Sequence, residues 1–581
     1  MVPEMQPRIR EIHLTTPGQK VATSRNVTLI VGPNNAGKSA LLYGILHEMQ
    51  RIEGQQGPDH PIVDSLEVEM PSKEDLREFF AERSEIYPPG TYRNTFYQET
   101  TYVVQNGTPL QESVIDQASN MTNRFGPNIS SSLIAIIGPE GRGAGLSSRQ
   151  APDLMNNQAP QAPLDFLWAD RDLEEKMNGH MHTAFGENIV VNRHAGPNVH
   201  LHVGRVETPE PRIGDRSPYM AELMALPLFN EQGAGMQAFM GTVATLSTDR
   251  RTILLFDEPE AFLHPPQARL LGTLMVQLAR ETKTQVIAST HSDDLVRGVL
   301  DGAKTESEVT LARITRPSHE KNRIAQVTPS TIKDMYSDPL LRFSKILDGI
   351  FYKGVVLCEA EMDCTYYSAV LQHVEETKEL AASDLLFTHS SGKDRLERSF
   401  SALHAASVPV AVIADVDLLA DSAKFRSIYE AMGGEWTVIE AQFNVLEASI
   451  SSLKRWPSRT EARENLQKIL GVDGNETLTA SELRSIREAV RVETGWKLIK
   501  KRGRSGVDSG DPTIAFDKIL TECYKCGLFV LEVGELERFH PEVGGTKQTW
   551  LRLVLEGGLY RTSDAAQKLL LRVRRFIEGL Q

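Results

Sequence analysis

Cysteine is scarce in this chain of 581 residues, which contains Cys358, Cys364, Cys523 and Cys526. Four cysteines are too few for a disulfide framework, and the single C-x-x-C pair lacks the second pair of a zinc finger, so reduced thiols are expected. The chain also lacks an apolar run of about 18 residues, the length that spans a bilayer. Its first residues have no apolar core of a signal peptide. These absences predict a cytoplasmic protein without a membrane segment.

Positive charge is not in excess, because 63 lysines and arginines face 77 aspartates and glutamates, a net charge of −14. This balance argues against a general coat for nucleic acid, although it leaves room for a local basic groove. With 40% hydrophobic and 24% charged residues, the composition is that of an ordinary globular protein. The length exceeds what one core supports and predicts about two to four domains.

A complete phosphate-binding loop, GPNNAGKS, occupies Gly32 to Ser39, between an apolar run and a helical pattern. In such a loop the glycines turn backbone N–H groups toward phosphates, the lysine reaches the β and γ oxygens, and the hydroxyl is offered to Mg²⁺. ATP with Mg²⁺ is therefore the predicted cofactor. The residues expected to hold it in this loop are Gly32, Asn34, Asn35, Gly37, Lys38 and Ser39, the last also as a metal ligand.

A second part of a nucleotide site follows the apolar run Thr252–Phe256, which ends in the adjacent carboxylates Asp257 and Glu258. Asp257 is expected to hold Mg²⁺ through water, and Glu258 to polarise the attacking water. A further strand ends at His291, which is placed to contact the γ-phosphate. The alternative is a strand that ends in a solvated acidic turn.

In this order the three motifs resemble the ABC-type ATPase head of the SMC and Rad50 kind, over about residues 1–335, with helical or dimerisation elements inserted at about 116–235. The resemblance implies that two heads sandwich two nucleotides, and hence a homodimer or higher oligomer. A signature motif would contact the partner's γ-phosphate. Gly233 and Gly235 match it, although the usual serine-led form is absent, and the Q-loop residue is not identified.

Residues 138–163 are dense in Gly, Pro, Asn, Gln and Ser. A segment of this composition has few apolar side chains with which to pack. We therefore expect a long mobile loop in this part of the chain.

Carboxylates follow two apolar strands of the C-terminal half. Glu359 ends the first strand, with Asp363 four residues on, and the second ends in Asp415 and Asp417. Alternation along a strand would put Asp415 and Asp417 on the same side, and the ends of parallel strands share one edge of a sheet. Carboxylates that converge there repel one another unless Mg²⁺ or Mn²⁺ neutralises them. The alternative is two unrelated acidic turns.

The order and spacing of these carboxylates resemble the TOPRIM fold of topoisomerases, primases and OLD-family nucleases, over about residues 345–581 with a helical insertion at about 418–526. The resemblance implies a glutamate for a second metal, matched by Glu537. It also implies a lysine that stabilises charge on the scissile phosphate, matched by Lys547, for which a surface lysine is the alternative. The implied metal ligands are Glu359, Asp363, Asp415, Asp417 and Glu537.

A basic cluster within Trp496–Arg504 places five basic residues in eight positions. In an acidic chain such a cluster favours contacts with backbone phosphates. A solvated basic face is an equally good interpretation.

An ABC-type ATPase domain followed by a TOPRIM domain defines an α/β chain that resembles the OLD family of ATP-dependent endonucleases, including Gabija-type anti-phage nucleases. The resemblance implies an ATP-regulated, metal-dependent endonuclease of anti-phage defence, with DNA favoured over RNA, and a separate helicase or effector as partner. One alternative is an ATP-gated tRNA nuclease. Another is an SMC-like sensor or scaffold without nuclease activity.

Overall fold

The computed structural model describes residues 6–52, 59–92, 98–105, 108–121, 124–152, 160–210, 216–318, 321–328, 330, 346–390, 392–470, 477–490 and 492–580. The chain divides into two compact units, Met1–Asp334 and Met335–Gln581. Each contains helices together with sheets, so the predicted α/β fold class is confirmed. None of the helices in the described part of the chain combines the length and the apolar character of a membrane span.

The strands of the first unit form one central sheet and three small antiparallel sheets. Their bounds are β1 Arg8–Leu14, β2 Lys20–Ala22, β3 Val27–Val31, β4 Val63–Glu69, β5 Glu85–Tyr87, β6 Thr101–Val103, β7 Pro109–Gln111, β8 Ile134–Ile137, β9 Arg149–Gln150, β10 Ile189–Asn192, β11 Asn198–Val203, β12 Ile253–Asp257, β13 Gln285–Ser289, β14 Val309–Ser318 and β15 Lys321–Val327.

Helices cover and connect these sheets. Their bounds are α1 Lys38–Gln50, α2 Lys73–Arg83, α3 Glu112–Ala118, α4 Gly126–Leu133, α5 Pro163–Ala169, α6 Arg171–Phe185, α7 Ser217–Ala225, α8 Ala234–Thr248, α9 Pro265–Thr282 and α10 Asp293–Gly302.

The central sheet has the order β15-β14-β3-β13-β12-β8 and is parallel apart from β15. Every residue of β3, β12 and β13 is buried, as expected for strands covered on both faces. Asp257 pairs with Ser289, and Ser289 with Ile30, so the carboxyl ends of these three strands lie side by side. This register brings the phosphate loop, the Asp-Glu turn and the His291 segment to one edge.

Two expectations about the middle of this unit need correction. Strand β8 lies inside the range 116–235 expected for inserted elements, yet it pairs with β12 in the central sheet. The expected mobile loop is wrong for residues 138–152, which include the 3-10 helix Arg142–Leu146 and strand β9. Residues 153–159 of that range lie outside the described part of the chain.

The second unit is built on a parallel sheet of order β17-β16-β18-β21, with a short antiparallel ribbon of β19 and β20 apart from it. The strands are β16 Gly354–Cys358, β17 Leu385–His389, β18 Val410–Ala414, β19 Lys454–Arg455, β20 Glu493–Thr494 and β21 Leu528–Val530. The helices are α11 Glu361–Thr377, α12 Leu396–Ala405, α13 Ser422–Ala431, α14 Trp436–Ser452, α15 Arg459–Leu470, α16 Ala480–Ala489, α17 Trp496–Arg502, α18 Asp511–Lys525, α19 Lys547–Glu556 and α20 Asp564–Leu580.

The core of this unit joins the sheet to α11, α19 and α20, with Tyr366, Phe529 and Trp550 among its largest buried side chains. Between β18 and β21 the chain forms α13 to α18 and the ribbon. Because β16 and β18 are adjacent and parallel, the residues that follow them emerge at the same edge.

Candidate functional site

The phosphate loop has the backbone that an anion site needs. Gly32 has φ +144°, and a Cβ there would lie 2.1 Å from the carbonyl oxygen of Ile314, so no side chain fits. Gly37, at φ +97°, caps α1, and no side chain caps the helix. The N–H groups of its first turn are therefore available to a phosphate.

Lys38 is buried at the start of α1. Its Nζ donates to the carbonyl oxygens of Gly32 and Pro33, each at 2.9 Å. These bonds fold the ammonium over the loop, which is where a lysine must lie to reach a bound phosphate.

Asp257, the last residue of β12, accepts hydrogen bonds from two hydroxyl groups. Its Oδ1 accepts a hydrogen bond from Ser39 Oγ at 2.8 Å and another from Ser289 Oγ at 2.5 Å. The loop serine and the strand-end aspartate, far apart in sequence, therefore lie in direct contact. A hydroxyl and a carboxylate are hard oxygen ligands of the kind Mg²⁺ takes in nucleotide sites, so these residues fit the predicted ion.

Glu258 and His291 face each other, with Glu258 Oε1 at 3.4 Å from His291 Nε2. Glu258 has φ +51°, an uncommon conformation for a residue with a side chain, and its N–H donates to Ser289. Burial, with a further effect from Lys38, lowers the pKa of His291 to about 4. The imidazole is therefore neutral at physiological pH and acts as a hydrogen-bonding group rather than a cation.

Arg142 is a functional residue that the sequence motifs did not indicate. The guanidinium is buried and donates to the carbonyl oxygens of Asp257, Glu258 at 2.6 Å and Pro259 at 3.0 Å, and to that of Gly138 at 3.0 Å. Burial lowers its pKa. Because three successive carbonyls point at one cation, Arg142 holds the backbone of the Asp-Glu-Pro turn in place.

Glu260 connects this turn to the end of β13. Its Oε1 accepts from Thr290 Oγ1 at 2.7 Å and from the N–H of His291 at 2.9 Å, whereas Oε2 is buried without a hydrogen-bond partner. Burial raises the pKa of this carboxyl group. Glu260 thus helps to set the position of His291.

Gly233 and Gly235 lie at the start of α8, with Gly233 as the N-terminal cap. A Cβ on Gly235 would lie 2.6 Å from the carbonyl oxygen of Phe262, so the helix approaches the segment that follows Glu258 closely. The phenyl ring of Phe262 is exposed. The expected contact of these glycines with a partner's nucleotide stays a prediction.

A second site lies at the edge of the sheet in the second unit. One ligand oxygen from each of Glu359, Asp415 and Asp417 lies within 4.8 Å of the others, and Glu359 Oε1 accepts the N–H of Asp415 at 3.1 Å. Oδ1 of Asp417 is buried without a hydrogen-bond partner. Converging carboxylates with an unsatisfied oxygen fit a divalent cation such as Mg²⁺ or Mn²⁺.

The protonation of these carboxyls reflects their crowding. Burial, together with Asp415 and Asp417, raises the pKa of Glu359 to about 7. Burial raises the pKa of Asp415 to about 6, even though Lys500 acts to lower it. Three negative charges at this site are therefore unfavourable without a positive partner.

Asp415 and Asp417 come together for a reason other than the strand alternation expected from the sequence. Strand β18 ends at Ala414, and Asp417 lies in the 3-10 helix Val416–Ala420, so the alternation of an extended strand does not apply. The tight turn, rather than a strand period, brings Asp415 and Asp417 together.

Asp363 is near this cluster but has its own partner. Its Oδ2 accepts the N–H of Ala360 at 2.9 Å, which caps α11, and its Oδ1 lies 2.8 Å from Lys547 Nζ. Lys547 is therefore ion-paired rather than a free surface lysine. Burial acts to lower the pKa of Lys547, but Asp363 and more distant carboxylates, Asp415 and Glu537, raise it overall.

Glu537 lies in the 3-10 helix Leu536–Phe539, where its charge acts on Lys547. It is not one of the three carboxylates that converge. The structure thus brings Glu359, Asp415 and Asp417 together. The ion pair of Asp363 and Lys547 lies near them, and Glu537 acts on Lys547 through its charge.

The basic cluster of the sequence does not form one free surface. Lys500 Nζ lies 3.1 Å from Asp415 Oδ2 and 3.0 Å from Asp417 Oδ2. Arg504 pairs with Asp517 at 2.6 Å. Neither interpretation of the cluster, phosphate contacts or a solvated face, describes Lys500, because its carboxylate partners are distant in sequence.

The known proteins to which this chain is similar include ATP-binding proteins, in agreement with the phosphate-loop site. Residues 223–297 match a family described as "AAA domain, putative AbiEii toxin, Type IV TA system". The Old nuclease of Escherichia phage P2 is 26% identical over 180 residues, which cover 30% of this chain and 29% of that protein. The thiamine import ATP-binding protein ThiQ of Photobacterium profundum is 31% identical over 178 residues, 28% of this chain and 68% of ThiQ. The SMC head domain from Thermotoga maritima aligns with a TM-score of 0.27 and 16% identity, over 55% of this chain and 99% of that chain.

The fold and the phosphate-loop site define an ATP-binding ATPase of the ABC type, and the chain belongs to that family. The match with the Old nuclease confirms the resemblance to the OLD family that the motifs indicate. The chain spans 29% of the length of that nuclease, so the match extends to the family and not to nuclease activity. The TOPRIM assignment of the second unit stays a prediction.

Proposed function

We propose that this chain is an ATP-regulated, divalent-metal-dependent endonuclease, with DNA as its substrate, that acts in anti-phage defence. The observation that carries the proposal is the convergence of Glu359, Asp415 and Asp417 in a chain that also contains an ABC-type ATPase site. Within the cluster the pKa values of Glu359 and Asp415 are raised, and raised carboxyl pKa values are common in sites that bind metal ions or transfer protons.

In the ATPase site, Lys38 and the N–H groups of α1 would hold the phosphates, and Ser39 and Asp257 would hold Mg²⁺. Glu258 would orient the attacking water. His291 is neutral, and its Nε2, 3.4 Å from Glu258 Oε1, would keep the carboxylate of Glu258 directed at that water. Gly233 and Gly235 would reach the nucleotide of a second copy, so ATP would favour a homodimer.

In the nuclease site, Glu359, Asp415 and Asp417 would hold one divalent ion, and Glu537 would contribute to a second. When bound, such ions supply an activated water and stabilise the leaving oxygen of a phosphodiester. Lys547, held by Asp363 at 2.8 Å, would place its ammonium near the phosphate as negative charge develops.

ATP binding would change the arrangement of the dimer and so control access to the nuclease site. We place this reaction in the cytoplasm, where ATP is available and where the four free thiols would stay reduced. A separate helicase or effector protein is part of the proposal.

The test is cleavage by the purified chain of supercoiled plasmid and, separately, of total tRNA, with Mg²⁺ or Mn²⁺ and with or without ATP. Asp415→Ala is expected to abolish cleavage, and Lys38→Ala to abolish ATP binding and the response to ATP. Cleavage of tRNA alone would replace DNA by RNA as substrate. Cleavage that persists in Asp415→Ala, or no cleavage of either nucleic acid, would refute the nuclease and leave the sensor alternative.

A further inference from the structure

Lys500 bridges two of the three carboxylates that would hold the divalent ion. The residue belongs to α17 and reaches Asp415 Oδ2 at 3.1 Å and Asp417 Oδ2 at 3.0 Å. A second lysine, Lys393, lies farther from Asp417 Oδ2, at 3.4 Å. A lysine ammonium is a cation at neutral pH, and here it faces two carboxylates at ion-pair distance.

The backbone holds α17 close to the carboxylates. At Gly534, where φ is +105°, a Cβ would lie 2.2 Å from the carbonyl oxygen of Lys500. The N–H of Val416, between the two aspartates, donates to the carbonyl oxygen of the same Gly534 at 2.8 Å. Gly534 thus joins the backbone of Lys500 to the turn that carries Asp415 and Asp417.

Gly503 makes a second close contact directly after α17. Its φ is +58°, and a Cβ there would lie 2.3 Å from the carbonyl oxygen of Glu532, which also accepts the N–H of Arg504 at 2.8 Å. Two close approaches and a hydrogen bond therefore set the end of α17 against residues 532–534. Packing therefore fixes the backbone of α17, from which the side chain of Lys500 reaches the carboxylates.

An ammonium and a divalent ion draw on the same two carboxylates here. Mg²⁺ is coordinated at about 2.1 Å in near-octahedral geometry, so it demands carboxylate oxygens that point at the ion. In the structure, Oδ2 of both aspartates points at Lys500. Two cations so close to one another also repel strongly where burial limits screening.

We propose that Lys500 competes with the divalent ion for Asp415 and Asp417, so that the ion binds only as the ammonium moves away. Lys500 is thus a positioning residue that keeps the carboxylates together and sets the metal affinity. The proposal rests on the proposed function only in taking Glu359, Asp415 and Asp417 as the metal site. Because Lys500 lies on a helix between β18 and β21, metal binding is linked to the position of α17.

The test is Mn²⁺ binding to the full chain without nucleotide, measured by isothermal titration calorimetry at fixed pH. Lys500→Met is expected to bind Mn²⁺ at least tenfold more tightly than the wild type. Lys497→Met, which removes an exposed lysine of the same helix, is the matched control and is expected to stay within twofold. Lys500→Gln provides a second uncharged variant if the methionine variant does not fold, and tighter binding is expected there too.

Thermal unfolding gives a second readout. Without added metal, Lys500→Met is expected to melt at a lower temperature than the wild type, because the carboxylates lose their counter-charge. Added Mn²⁺ is expected to raise its melting temperature more than that of the wild type.

Equal or weaker Mn²⁺ binding by Lys500→Met and Lys500→Gln would overturn the competition. Asp415→Asn separates this failure from that of the proposed function. If Asp415→Asn removes the Mn²⁺ signal while Lys500→Met matches the wild type, only the competition is refuted. If Asp415→Asn binds Mn²⁺ as the wild type does, the carboxylates are not the metal site and both proposals fail.

Discussion

Replacement of Arg142 by methionine tests whether the backbone of the Asp-Glu-Pro turn depends on one buried cation. The change keeps an unbranched side chain about as long as the aliphatic stem of arginine but removes the donors to the carbonyl oxygens of Asp257, Glu258 and Pro259. In the variant, buried carbonyls lose their partners, a state that costs free energy. The turn is then expected to relax.

The size of the effect follows from the number of bonds. A hydrogen bond to a charged group contributes about 1.5–3 kcal/mol, and four are lost, the fourth being the bond to the carbonyl oxygen of Gly138. The desolvation cost of the buried guanidinium is recovered in the variant, which leaves a net loss of about 2–4 kcal/mol in the free energy of unfolding. That loss corresponds to a decrease of roughly 3–6 °C in the melting temperature of the first unit, because a unit of this size, Met1–Asp334, unfolds with an entropy of about 0.7 kcal/mol/K.

The effect on catalysis is expected to exceed the effect on binding. Lys38 and the phosphate loop are not altered, so ATP affinity should change little. Asp257 and Glu258 lose their fixed orientation, and a displacement of about 1 Å lowers turnover by about a hundredfold. Steady-state ATP hydrolysis and nucleotide binding, measured on the same preparation, separate the two effects.

Hydrogen exchange locates the change in the chain. The N–H of Glu258 donates to the carbonyl oxygen of Ser289 at 3.1 Å, and this amide is expected to exchange faster in Arg142→Met. Arg205→Met is the control, because Arg205 is an exposed arginine paired with Glu207 on the surface. The reasoning is refuted if Arg142→Met hydrolyses ATP at the wild-type rate and unfolds within about 0.5 kcal/mol of it.

Three further predictions concern the first unit. Gly32→Ala is expected to abolish ATP binding and lower the melting temperature, because its Cβ would lie 2.1 Å from the carbonyl oxygen of Ile314; retained binding of a labelled ATP analogue would contradict this. Burial raises the pKa of Glu260, so the wild type loses stability as the pH rises from about 4.3 through that raised value. Glu260→Gln should remove this loss, and urea unfolding that depends on pH equally in the variant and the wild type would count against it. Arg280 lowers the pKa of Glu308 to about 2, so this pair contributes stability above about pH 4.3 that is lost as the pH falls toward 2. Arg280→Met should cost about 1 kcal/mol at pH 7 and less at pH 3. The same difference in unfolding free energy between variant and wild type at both pH values, measured in urea, would disprove this.

Local chemistry explains which parts of the sites could be predicted from the sequence. Lys38 and Ser39 come shortly after one buried strand, and Asp257 ends another. Because parallel strands end at one edge of a sheet, the convergence of these residues needs no knowledge of distant packing. The same holds for Glu359 and Asp415 at the ends of β16 and β18. In these cases a short motif and a strand end contain all the information required.

Arg142 shows where that reasoning fails. Its neighbours in sequence, rich in glycine and proline, are typical of a mobile loop, yet the guanidinium is buried against carbonyls that lie more than a hundred positions away. Composition describes a segment without its surroundings. An arginine binds backbone carbonyls wherever packing presents them, and no local pattern marks that event.

The partners of Lys500 also could not be predicted from its neighbours in sequence. In the sequence it is one of five basic residues within eight positions, which favours a common role at a surface. In the fold Lys500 and Arg504 find separate carboxylates, Lys500 at Asp415 and Asp417 and Arg504 at Asp517. Asp417 is 83 positions from Lys500, and the approach depends on Gly534 and its lack of a side chain. A run of like charges therefore indicates a cationic segment, but the partners of each cation are decided by long-range packing, and at Lys500 that packing directs a positive charge into the predicted metal site.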